Sequence, residues 1–429
     1  MKKFCLILLI FTCISACNLI PVKEPVDYVN THIGNISILL VPTFPTTHMP
    51  NSMLRMIPAR REFVTDRMRG FPLNIHSHRG SDVLMLMPFG GKTTPDPSAN
   101  YRYDHEVSKP YRYSVFLDDH AVSVDFAPAS KSAIYSFNFE EDGQRTIILR
   151  TVSSGEINAE GTIISGFENL RGATLYFYLE FDQTPVQTGN RDAGRRVAVY
   201  AQFAPDVKTV KARYGISYIS VEQAKKNLEN EIWDFDIDRI AQNARSEWNR
   251  VLGKIKVEGG TENEKITFYT ALYRSHERMI NISEDGKYYS PFDGQIHDDG
   301  GVPFWTDDWA WDTYLALHPL KTILDPKAQE EKLASYIRMC EQSPERWMPT
   351  FPRITGDDHA MNGNHAAVIF ADALSKNLNF DVERAFEGMK NTVLTETMIP
   401  WVRAPKTELD DFTTNTAGFL RFTPAKKKR

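Results

Sequence analysis

Cysteine is scarce in this chain: four in 429 residues, and three of them lie within the first seventeen positions. Only Cys340 is left for the body of the protein, and one thiol cannot close an internal bridge, so a disulfide framework is excluded. In LASYIRMCEQ it stands at helical spacing from Leu333 and Ile337, which is where a core residue of a helix belongs. Basic excess is missing too. Lys and Arg number 50 against 55 Asp and Glu, for a net charge of −5, so there is no electrostatic footprint for nucleic acid. The one basic cluster is Lys426-Lys427-Lys428-Arg429 at the C-terminus. There is no glycine-rich phosphate loop, no Gly-x-Ser-x-Gly elbow and no His-Glu-x-x-His pair. Neither a solenoid repeat nor a low-complexity tract occurs.

Long apolar runs are absent as well. The run from Phe4 to Ile14 is too short for a permanent membrane span. With Lys2 and Lys3 before it and small residues after it, it reads as an export signal. ISAC at 14–17 has the pattern of a bacterial lipoprotein signal, so Cys17 is the expected lipidation site and the membrane is a partner through that anchor. The alternative is an ordinary secretory signal that ends near a cysteine. The expected location is the bacterial cell envelope, lipid-anchored in the periplasm or at the outer membrane.

What the chain does contain changes texture along its length. Residues 1–16 read as signal peptide and 17–30 as a tether. From 31 to 235, short alternating segments rich in β-branched and aromatic residues, such as YRYSVFLDDHAVSVDF and ATLYFYLEF, predict an antiparallel β-sandwich. From 236 to 429 helical spacing dominates, with helices expected over 263–279, 309–323, 326–342, 363–377 and 381–394. The fold class is therefore α+β multidomain, a sandwich followed by helical hairpins of (α/α)6-barrel type, with the barrel incomplete.

The chemistry concentrates in FWTDDWAWDTYLALHP at 304–319. Rings alone would suit a core and acids alone a solvated loop. A pyranose uses both, because it has an apolar face to stack and a rim of hydroxyls for charged acceptors. Trp309, Trp311, Asp308 and Asp312 are candidate substrate residues on that reading; the alternative is an N-cap carboxylate and a helix packed by its rings. GDDHAMNGNH at 356–365 is a polar loop before a helix, with Asn364 and His365 as candidates. It offers oxygens to a hard cation but lacks an EF-hand spacing, and turn and cap chemistry explain it equally well. GFPLNIHSHRGSD at 70–82 places His76 in a loop able to reach over a neighbouring cleft. No third histidine or cysteine lies near enough in sequence to suggest zinc.

DYVNTHIG at 27–34, GFPLNIHSHRGS, FYTALYR at 268–274, WDTYLALHPL at 311–320 and GNHAAVIFADALSKNLNFDVERAFEGMK at 363–390 together resemble, in order, the sequence blocks of glycoside hydrolase family 92. The resemblance covers about residues 25–412. It implies a β-sandwich on an (α/α)6 barrel and an exo-acting, calcium-dependent, inverting α-mannosidase that trims terminal mannose from glycans, with Trp311 and Asp312 at the sugar. Carbohydrate is the expected substrate and Ca2+ the expected cofactor. The family's general acid and base lie in later blocks that have no counterpart here, so the catalytic residues are unknown, the metal ligands are unassigned and the chain reads as truncated near residue 413. The stretch after Ile33-Gly34 also lacks the family's glycine-rich run, in a region that helps select the substrate. A glycan-binding surface lipoprotein without catalysis is the alternative function.

Overall fold

Strict alternation is the reason the first half folds as sheet. In Ala173–Phe181 the buried residues are Ala173, Leu175, Phe177, Leu179 and Phe181, with half-exposed residues between them. The structure is a computed structural model that describes residues 23–394, apart from 38–41, 61, 63, 78–79, 93, 195 and 362, together with the pairs 396–397 and 407–408. The expected signal peptide, Cys17 and the reading of a break near 413 lie outside the described residues, as do His78 and Arg79.

Two antiparallel sheets form the sandwich. The larger has nine strands in the order Gly155–Glu160, Ile163–Leu170, Ala173–Phe181, Thr209–Ser217, Ser132–Phe139, Val122–Pro128, Arg112–Leu117, Tyr101–Lys109 and Arg67–Met68. The smaller has five, ordered Gln187–Ala193, Arg196–Gln202, Gln144–Arg150, Gly80–Gly91 and Phe71–Ser77. Their inner faces share one core that includes Leu73, Met87, Phe89, Tyr135, Phe177 and Tyr214. Two phenols tie the sheets together: Tyr214 donates to the Leu73 carbonyl at 2.8 Å and Tyr135 to that of Pro72 at 3.2 Å.

Helices cover the outer face of the larger sheet. Helix α1 (Val221–Glu231) and helix α2 (Ile237–Leu252) set Leu228, Ile232, Ile237, Ile240 and Ala241 on Ala127 and Ile134. Helix α1 comes so close that a Cβ at Gly215 would stand 2.1 Å from the Ala224 carbonyl oxygen, which only glycine permits. The C-terminal half of α2 turns away from the sheet. There Trp248 and Leu252 pack with Tyr269 and Tyr273 of helix α3 (Glu262–Arg274) and with Val26 and Val29.

That last contact corrects the expectation of a tether through residue 30. Pro25–Tyr28 is a 3-10 helix, Val26 is fully buried, and Arg245 of α2 donates to Asp27 at 2.6 and 2.9 Å. Within residues 23–30 the segment is packed structure, because Val26 and Val29 find an apolar pocket and Asp27 a cation.

The later helices are α4 (Ala310–Thr313), α5 (Leu317–Leu324), α6 (Pro326–Gln342), α7 (His365–Ser375) and α8 (Val382–Leu394). They form hairpins α5–α6 and α7–α8. The one helix expected over 309–323 is two. Asp308 accepts from both Thr313 and His318. Five residues apart, these would face directions roughly 140° apart on a continuous helix, so both reach one carboxylate only if the helix breaks between them. Among the described residues no helix is long and apolar enough to cross a membrane.

Candidate functional site

The segment Trp305–Asp312 carries the site, and two loops meet there. The backbone N–H of Asp308 donates to the Pro352 carbonyl at 2.9 Å, and that of Ala310 donates to Thr350 at 3.2 Å. The 349–359 loop therefore docks on the aromatic, acid-rich segment along its backbone.

The consecutive aspartates point to opposite partners. Asp307 has left-handed backbone, with φ of 62°, and its Oδ2 accepts from Arg55 Nη1 of the sandwich at 2.6 Å. Both side chains are buried. Asp308 is also buried and takes four donors: the Trp309 N–H, the Thr313 hydroxyl, His318 Nε2 and the Tyr336 hydroxyl, at 2.7–2.8 Å. Burial alone would raise its carboxyl; the His318 imidazole, with hydrogen bonds from His318, Tyr336 and Thr313, overcomes that and holds it well below the usual carboxylate range. Gln329 Nε2 lies 2.9 Å from His318 Nδ1 and completes the network.

Asp308 is thus corrected from sugar ligand to scaffold, because protein donors occupy both of its oxygens. Trp309 is likewise no stacking platform. Its ring lies on Phe351, with centroids 5.1 Å apart, while the Arg278 and Arg353 guanidiniums stand 4.4 and 5.3 Å from it. Trp305 is buried and donates to Glu331 at 3.1 Å. Of the three tryptophans and three aspartates, Trp311 and Asp312 alone face solvent; Trp311 is 50% exposed. They sit side by side on α4.

Beside them lies the start of α7. The Tyr314 and His365 rings are 4.7 Å apart. Asn364 occupies the N-cap position without capping through its side chain, and its Oδ1 is buried without a protein partner, as is His365 Nδ1. Burial lowers the His365 imidazole below its ordinary value. The structure so brings Trp311, Asp312, Asn364 and His365 into one neighbourhood.

His76 comes from the other side. It belongs to the strand Phe71–Ser77, not to a loop as expected, because the alternating run Phe71, Leu73, Ile75 buries against the core. The side chain is half-buried. Burial lowers its imidazole to about 4, opposed by Asp307 and assisted by Arg55 and Arg353, so it is neutral at pH 7. His76 therefore faces the Asp307 loop; nothing ties it to Trp311.

The two carboxylates of the 356–359 stretch are engaged within the 349–359 loop. Asp357 accepts from the Thr350 and Phe351 N–H groups at 2.9 and 2.7 Å and lies 3.2 Å from His359 Nδ1, and Asp358 pairs with Arg353 at 2.8 Å. Among the described residues no group of three or more His, Cys, Asp and Glu side chains is set to hold a metal ion.

Sequence reasoning missed Arg55, His318, Gln329 and Tyr336. Arg55 lies 252 positions from Asp307, and no local pattern announces such a partner. His318 had a signal, since it closes the same aromatic, acid-rich motif.

Comparison with known proteins gives two adjoining family matches. Residues 28–217 match the glycosyl hydrolase family 92 N-terminal domain and residues 223–428 the glycosyl hydrolase family 92 catalytic domain. The second match passes residue 412, where resemblance was expected to end, and corrects that boundary. A solved family 92 inverting mannosidase from Bacteroides thetaiotaomicron is 27% identical, with a TM-score of 0.81 over 88% of this chain and 56% of its own. A family 92 α-mannosidase from the same organism, at 21% identity and a TM-score of 0.79, covers 87% of this chain and 57% of its own, and shows the fold. An uncharacterized secreted glycosidase of Arthroderma benhamiae is 23% identical over 68% of this chain and 40% of its own. The chain thus spans about half the length of these relatives.

Proposed function

The chain belongs to glycosyl hydrolase family 92, and from that premise we propose that it is the sugar-gripping portion of an exo-acting, inverting α-mannosidase. The observation that carries this reading is the pair Trp311 and Asp312, exposed together on a turn whose base is locked by the Asp308 network. The indole face stacks on the apolar face of a terminal mannose. The two oxygens of Asp312 accept from adjacent hydroxyls, and a charged acceptor makes these the stronger hydrogen bonds of the site. Locking the turn through buried groups fixes the pair before the sugar arrives, which reduces the entropy lost on binding.

Inversion needs an acid at the leaving oxygen and a base at a water on the opposite face, roughly 6.5–9.5 Å apart. No such pair of carboxylates is assigned in this chain. We place both in polypeptide corresponding to the further length of the relatives. In support, an apolar groove of about 460 Å³ runs between α7 and α8, lined by Phe370, Leu374, Phe380, Val382, Phe386 and Met389. A helical domain covers such a surface with more of itself. Calcium enters this reading through family resemblance alone, and no step is routed through it. Anchoring at Cys17 in a bacterial envelope is part of the same proposal and is checked by loss of fatty-acid labelling in Cys17→Ser.

The test is mannose release from α-linked manno-oligosaccharides by this chain and by one carrying the rest of a relative's length, each with calcium and with a chelator. Release by the longer protein alone, with binding but no release by this chain, supports the reading. Release by the 429-residue chain alone overturns the placement of acid and base and makes Asp307, Asp308, Asp312 and Asp357 the residues to substitute. Mannoside binding without release by either chain favours the glycan-binding lipoprotein.

A further inference from the structure

The seam between sandwich and helical region concentrates buried polar atoms that the protein itself leaves without hydrogen bonds. They are Arg55 Nε and Nη2, Asn74 Nδ2, His76 Nδ1, Tyr218 Oη, Thr306 Oγ1 and Asp307 Oδ1. Of these residues Arg55, Asn74, Tyr218, Thr306 and Asp307 are each at most 3% exposed. They belong to one place. Arg55 Nη1 donates to Asp307 at 2.6 Å, and the Arg55 backbone N–H donates to Asn74 Oδ1 at 2.9 Å. Thr306 precedes Asp307 in the chain, and His76 follows Asn74 by two positions, on the same face of its strand. The Asn74 side chain and the Tyr218 hydroxyl lie within hydrogen-bonding reach of each other, but short of the distance and angle of a full hydrogen bond.

Unmatched groups of this kind are rare in folded proteins, and seven atoms in one seam point to a ligand. The composition says which. Arg55, Asn74, Tyr218 and Thr306 supply donors; Asp307 Oδ1 and the neutral His76 ring supply acceptors. A cation is unsuited, because the Arg55 guanidinium already holds Asp307. An anion would be set beside the free oxygen of Asp307. A neutral hydroxyl, which accepts and donates at once, suits both halves. The atoms are too deeply covered for a sugar to reach them.

We propose that this seam holds a cluster of ordered water molecules bridging Arg55, Asn74, His76, Tyr218, Thr306 and Asp307. The cluster solvates the buried Arg55–Asp307 pair and joins the two domains through water. The joint lies directly before Asp308, so it sets where the turn bearing Trp311 and Asp312 stands relative to the sandwich. This inference does not depend on which sugar, if any, the protein binds.

Two measurements on the full 429-residue chain test it. A high-resolution crystal structure is expected to show water oxygens within hydrogen-bonding distance of Asp307 Oδ1 and Arg55 Nη2. Oxygen-17 magnetic relaxation dispersion is expected to report long-lived internal water whose amplitude falls in the Tyr218→Phe, Thr306→Val double variant, chosen because it removes two hydroxyls and little volume. Side chains that close directly on one another, an anomalous bromide peak in the seam after a bromide soak, or an amplitude unchanged in the variant would each overturn the proposal. Should the double variant fail to fold, the crystal map of the unaltered chain decides alone.

Discussion

Tyr336 donates its hydroxyl to Asp308 Oδ2 at 2.7 Å from a helix 28 positions further along the chain. It shares that oxygen with His318 Nε2. The pair lies under the turn that presents Trp311 and Asp312, so the exposed site rests on a buried charge whose partners must all be in place.

Tyr336→Phe removes one donor from that carboxylate and is expected to cost roughly 1.5–3 kcal/mol, the range for hydrogen bonds to charged groups. Urea unfolding measures it. The pH dependence has a fixed sign. Asp308 is held below its ordinary value in the folded protein, so its stabilisation is present above about pH 4, the unfolded carboxylate value, and is lost as the pH falls further. Unfolding followed from pH 7 to pH 3 should show that loss, and a smaller one in the variant.

Trp311 and Trp309 should separate binding from stability. Trp311→Ala and Asp312→Ala alter exposed side chains and are expected to change stability by no more than about 0.5 kcal/mol. Loss of the Asp312 hydrogen bonds should weaken mannoside binding by roughly ten- to a hundredfold. Trp309→Ala removes a ring packed between Phe351 and two guanidiniums and should cost roughly 3–5 kcal/mol. Calorimetric titration with a mannoside, beside thermal unfolding, reads both effects; equal destabilisation by Trp311→Ala would contradict its placement.

Lys321 is 3% exposed, and burial, with the field of Lys332 next, lowers its ammonium to about 6. The unfolded chain keeps that proton up to the ordinary lysine value of about 10.4. Stability therefore rises with pH between those limits. Lys321→Met is expected to stabilise the protein by roughly 1–4 kcal/mol near pH 6, with the gain shrinking toward pH 10. Unfolding curves for both proteins across this window check the slope as well as the sign.

Cys340 is buried, its thiol donates to the Arg346 carbonyl at 3.0 Å, and burial pushes its pKa up to about 12. The native protein should resist a thiol reagent at pH 8, and the same protein in denaturant should react at least roughly tenfold faster. Mass spectrometry of the Cys340 peptide separates its label from that on Cys5, Cys13 and Cys17, and rapid native labelling of that peptide would place Cys340 outside the core.

How far the sequence carried can be read from particular elements. Strand residues such as Leu175, Phe177 and Leu179 declare themselves by alternation, because a pleated strand sends neighbours to opposite faces whatever the rest of the chain does. Helix α6 is legible for a similar reason, through Leu333, Ile337 and Cys340 at helical spacing. The ordered blocks around WDTY gave the family and singled out Trp311 and Asp312, while the chemistry of each residue type nominated its neighbours. Local pattern fixes that much because it needs no distant partner.

Tertiary structure decided which of those neighbours face a ligand. Asp307, Asp308 and Asp312 are the same residue within six positions, yet one is held by Arg55 from the sandwich, one by Tyr336 and His318 from two helices, and one is left to solvent. Trp309 and Trp311 differ in the same way. The break between α4 and α5, and the packing of Pro25–Tyr28 where a tether was expected, have the same origin. A buried charge or an apolar pocket takes its partners from wherever the fold delivers them, and sequence separation places no limit on that distance.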